Sequence, residues 1–137
     1  MDLAGGLVVL AAVEATAGRL GLALSTSVVD AAGHEVLTAR MPGAPWFTPH
    51  VCRTKARTSV AMGMDSGEVA ELAAAYPDLM PVVHEQLPFT LTTLQGGVLV
   101  RVGDDIHGAV ACSGATPAQD EECARAGIAA WLAARPA

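Results

Sequence analysis

Two stretches of this chain double back on themselves, and that restricts its architecture more than any other feature. Leu22–Asp30 is rich in small and β-branched residues, Ala31-Ala32-Gly33-His34 has the composition of a turn, and Glu35–Met41 leads back. Strands joined so closely leave no room for a crossover and must pair antiparallel. The pattern recurs in Val98–Val102, Gly103-Asp104-Asp105 and Ile106–Ser113. Thr90–Leu94 reads as a further short strand, running through a kink at Gln95-Gly96-Gly97. A mostly antiparallel sheet of about five strands is expected.

Helical patterns flank and interrupt these strands. Leu3–Leu20 is amphipathic and closed by Gly21. After the break at Pro42-Gly43-Ala44-Pro45 and a loop holding Trp46 and Phe47, Thr48-Pro49 opens a second helix. Thr48 is its expected N-cap and Pro49 its first helical residue. Ser66 is expected to cap a third helix, Gly67–Tyr76, which Pro77 stops; Asp78–Gln86 adds another helical turn. Thr116-Pro117-Ala118-Gln119 is a capping box opening the last helix, with Asp120, Glu121 and Glu122 at its positive dipole end. The expectation is a single α+β domain over residues 1–137, with terminal helices and a helical middle segment.

Composition narrows the function. The chain is 52% hydrophobic but 4% aromatic, which favours close helix–sheet packing through small residues. A net charge of −6 and the lack of any basic run argue against nucleic-acid binding and against anionic membranes. Leu3–Val13 followed by Ala15-Thr16-Ala17 imitates a signal peptide, but Asp2 stands where a basic residue belongs and the pattern continues through Glu14 and Arg19. The stretch is also too short to span a bilayer, so a cytoplasmic protein is expected. Cys52, Cys112 and Cys123 have no metal-ligand spacing and read as small buried hydrophobes. Asp104-Asp105 reads as a solvated turn, so no metal site is expected.

Lys55 is the one lysine; every other cationic side chain is arginine. On the second helix it shares a face with Val51, Thr58 and Met62, whereas Arg53 and Arg57 project oppositely. A cation on an apolar face must find a partner or line a cavity. A single lysine could equally be one more surface charge.

Taken in order, several segments resemble the GlcG/HbpS family, which also supplies the C-terminal domain of PduO-type proteins. Val28-Val29-Asp30-Ala31-Ala32-Gly33 is similar to its V-V-D-x-x-G turn, and Arg40-Met41-Pro42-Gly43-Ala44 to its R-M-x-G-A. Lys55-Ala56-Arg57-Thr58-Ser59 resembles K-A-x-T-A, and Gln95-Gly96-Gly97 with Val100 resembles the G-G-x-P-I segment, Leu99 standing in place of the usual Pro. Gly108–Gly114 resembles G-A-I-G-V-S-G, and Asp120–Ala124 the D-x-x-C/I-A opening of the last helix. The resemblance implies a profilin-like α+β domain, usually in a homo-oligomer, with heme binding in some members and heme degradation in at least one type.

Three functional readings follow. Heme or another tetrapyrrole needs an apolar slot, cations for its propionates and an axial ligand. Trp46, Phe47 and Met62 could line the slot, Arg40 and Lys55 could hold propionates, and His50 or His107 could ligate. A small-molecule isomerase, lyase or cyclase would use Arg40 as a carboxylate fork, with Lys55 and His50 or His107 as proton-transfer groups. Gly96 and Gly97 would then let backbone approach the ligand. A non-catalytic scaffold or sensor would leave Asp30 capping its turn and Arg40 paired with Asp30 or Glu35. His50 and His107 also have plain readings, as a surface side chain and a cross-strand neighbour.

Overall fold

The computed structural model describes residues 1–136. Its elements run α1 (Leu3–Arg19), β1 (Ser25–Asp30), β2 (Glu35–Arg40), α2 (Thr48–Met62), α3 (Glu68–Ala75), α4 (Leu79–Gln86), β3 (Gly97–Val102), β4 (Asp105–Ser113) and α5 (Pro117–Ala134). The strands form one sheet in the order β2-β1-β4-β3, every neighbour antiparallel. The expected α+β class and both hairpins are present.

The sheet has four strands, not five. Thr90–Leu94 is irregular because its backbone is satisfied by side chains instead of a neighbouring strand. The N–H of Thr92 donates to Oγ1 of Thr58, and the carbonyl of Leu94 accepts from the Ser66 hydroxyl. Two expected caps also fall to other residues. Thr48 lies inside α2, after Phe47, and its hydroxyl donates to the carbonyl of Pro45. Ser66 precedes the α3 cap, Gly67, and ties the chain to β3 by accepting from the N–H of Gly97. The Thr116–Gln119 capping box forms in full.

Alternation along the central strands divides the core in two. Val28, Val110 and Cys112 face a large cluster with Val9 and Val13 of α1 and Ile128 and Trp131 of α5. Val29, Ala109 and Ala111 face Cys52 and Ala56 of α2. The sheet is thus a middle layer between α1/α5 and α2, with β1 and β4 shielded on both sides. Gly127 makes the α1–α5 contact possible: a Cβ there would lie 2.8 Å from the side chains of Val9 and Val13. Among the described residues no helix is long and apolar enough to cross a membrane.

Candidate functional site

Lys55 is buried and partnered. Its Nζ lies 2.9 Å from Oδ2 of Asp120 at the start of α5 and donates to the carbonyl of Cys112, also at 2.9 Å. The two side chains are only 3% and 4% exposed. The other carboxylate oxygen of Asp120 accepts from the N–H of Ala115. Burial lifts the Asp120 carboxyl above its ordinary value, while the bond from Lys55, its charge and the Ala115 N–H pull the other way. The pair joins one helix layer to the other at the end of the sheet.

Gly96 and Gly97 make room for this pair. Gly96 has φ +127, and a Cβ on it would come within 2.7 Å of Lys55 Nζ and 3.0 Å of the Asp120 side chain. A Cβ on Gly97 would lie 2.6 Å from the Lys55 carbonyl oxygen. The close backbone approach expected of these glycines is therefore made to an internal ion pair and to α2.

A second cluster stands at the N-terminal end of α2. Trp46 is 78% exposed and Phe47 48% exposed, with ring centroids 6.0 Å apart in an edge-to-face arrangement. The exposed imidazole of His50 lies 6.2 Å from the Trp46 ring. Beside it, His50, Val51, Thr54, Thr92 and Leu94 line a groove of about 260 Å³. Arg40 fastens the loop leading to this cluster by donating to the carbonyl of Ala44 at 2.9 Å; its guanidinium remains exposed. Arg40 bonds loop carbonyls, whereas Glu35 pairs with Arg53 and Asp30 with His34.

The remaining candidates lie elsewhere. Met62 ends α2, roughly 18 Å along the helix axis from His50. His107 belongs to the α1/α5 side, its ring 5.6 Å from Trp131 and its carbonyl accepting from the N-terminal ammonium at 2.6 Å. The structure brings Trp46, Phe47 and His50 together and separates them from Lys55, Met62 and His107. Among the described residues no cluster of His, Cys, Asp and Glu is arranged to hold a metal ion. The three cysteines are buried and free, and burial pushes the Cys52 thiol up to about 12, so none is a ready nucleophile.

A family model described as haem degrading protein HbpS-like matches residues 1–129. The chain belongs to this HbpS-like family. Solved structures agree. The Klebsiella pneumoniae protein ORFY is 26% identical, with 98% of this chain and 92% of that one covered and a TM-score of 0.85. The PduOC–heme complex is 27% identical over 95% of this chain and 94% of that one, with a TM-score of 0.83. A double mutant of Streptomyces reticuli HbpS is 28% identical over 94% and 85%, with a TM-score of 0.82. No curated protein is significantly similar to the chain in sequence.

Within this HbpS-like fold, sequence reasoning missed Asp120 as the partner of Lys55. Asp120 reads locally as one more acid in a helix's first turn, and its partner lies 65 positions away. The signal was a solitary lysine on an apolar face, which calls for a partner or a cavity. Leu94 was also missed as a groove residue, because it was assigned to a strand.

Proposed function

We propose that this chain binds heme or a related tetrapyrrole at the ledge formed by Trp46, Phe47 and His50. The observation that carries the reading is the exposed His50 imidazole 6.2 Å from the largely exposed Trp46 ring. Two large aromatics left in water are unusual in a chain that is 4% aromatic, and a flat apolar ligand would cover them. The donor set fits the group: His50 offers an imidazole nitrogen for iron, Trp46, Phe47 and Leu94 offer apolar surface, and Arg40 is an exposed cation for a propionate. Bound there, heme would supply a redox-active iron, while the chain's residues hold and orient the macrocycle. A heme complex of a similar fold, PduOC, supports the choice of ligand.

Hemin titration followed by absorbance and by tryptophan fluorescence tests this reading. Wild-type protein should develop a shifted Soret band together with fluorescence quenching. His50→Ala should lose the ligated spectrum, and Trp46→Ala should weaken binding about tenfold. Unchanged spectra and affinity in both variants would remove the ledge as the site.

A further inference from the structure

Arg57 differs from the other arginines of the chain. Each of those donates to, or meets, an acceptor in the protein, as Arg53 does with Glu35 at 2.8 Å and Arg101 with the Gly63 carbonyl at 2.9 Å. Among the described residues Arg57 has no hydrogen-bond acceptor and no carboxylate partner, although it is half-buried. Its guanidinium carbon sits 4.6 Å over the centroid of the Phe89 ring. That stacking offsets some of the charge but satisfies none of the five N–H donors.

Arg57 opens into a groove of about 380 Å³ between Gly33 and His34 of the β1–β2 turn, Val60 and Ala61 of α2, and the Leu87–Phe89 segment. No acidic side chain lines it. An adjoining hollow of about 320 Å³ shares Gly33, His34 and Arg57 and is also lined by Arg53 and Glu35, which pair with each other. A guanidinium with free donors, set among apolar walls, is matched by a planar anion on a small apolar body. The space suits a ligand of modest size.

We propose that this groove is a second binding site, for small organic carboxylates, with the carboxylate forked by Arg57 and the apolar body against Val60, Leu87 and Phe89. The site is separate from the ledge and stands or falls independently of heme binding. NMR titration of the labelled protein with benzoate, using benzamide as the neutral isostere, tests it. Benzoate should shift the amide signals of Gly33, Val60 and Phe89 saturably and bind at least tenfold more tightly than benzamide. Arg57→Gln should weaken benzoate at least tenfold. Ala61→Trp, which fills the groove from an exposed position, should abolish binding with the rest of the spectrum retained; it decides the matter if Arg57→Gln fails to fold. The proposal is overturned by equal affinity for benzamide, by wild-type affinity in the folded variants, by no saturable binding, or by shifts centred on His50 and Trp46.

Discussion

Lys55 and Arg57 stand two positions apart on the same helix and meet their electrostatic needs in opposite ways. Lys55 points into the protein, where Asp120 and the Cys112 carbonyl satisfy it and Gly96 leaves it room. Arg57 lies over Phe89 at the edge of an open groove, with no protein acceptor for its donors among the described residues. The contrast shows that the rarest charge in a sequence can be fully bonded inside the protein while another cation on the same helix faces open space. The compact ammonium of Lys55 fits the tight space beside Gly96, whereas a planar guanidinium can take a planar anion through two parallel bonds.

Removing Lys55 should have the largest effect. Lys55→Met leaves the Asp120 carboxylate buried without its counter-charge and should destabilise the fold by about 3–5 kcal/mol in urea denaturation. Adding Asp120→Leu to Lys55→Met should recover most of that loss. A single variant as stable as wild type would mean the pair does not hold the layers together. The matching change on the other side, Arg57→Gln, should leave stability within about 0.5 kcal/mol.

A smaller effect is expected at the turn that walls the Arg57 groove. Burial works to raise the Asp30 carboxyl, but bonds from the N–H groups of His34 and Ala32 outweigh it and hold it below its ordinary value. For a carboxylate so depressed, the stabilisation is complete above the unfolded value, near pH 4, and is lost as pH falls through the folded value. Asp30→Asn should therefore flatten the acid limb of a stability–pH curve, with its loss of stability fully expressed at pH 7 and the two curves converging in acid. An unchanged acid limb would show that the turn does not depend on the carboxylate. The smallest effect should come from Trp46→Ala on the exposed ledge, within about 0.5 kcal/mol of wild type in the same denaturation assay. A larger loss would show that Trp46 packs as core.

Much of the fold was legible because its signals are local. The hairpin turn at Ala31–His34 and the capping box at Thr116–Gln119 are written in adjacent residues, and both form as read. The Thr48 and Ser66 caps misled because a hydroxyl before a helical run can both donate and accept, and so has partners besides the helix N–H groups. Here Thr48 turned back to Pro45, and Ser66 reached across to Leu94 and Gly97. Of the expected site residues, Trp46, Phe47 and His50 are neighbours in sequence and stayed neighbours in space. Met62 and His107 were grouped with them by chemistry alone, and one helix length and one sheet thickness keep them apart.

By itself the sequence determined the α+β class, the antiparallel hairpins and the order of helices, since turn chemistry and periodicity act over a few residues. It also put Lys55 on the apolar face of its helix, where a cation needs a partner or a cavity. Tertiary structure alone decided that the partner was Asp120, and that among the described residues Arg57 was the arginine without a hydrogen-bond acceptor in the protein. Those outcomes depend on which distant segments meet across the sheet, and short-range spacing carries no record of that.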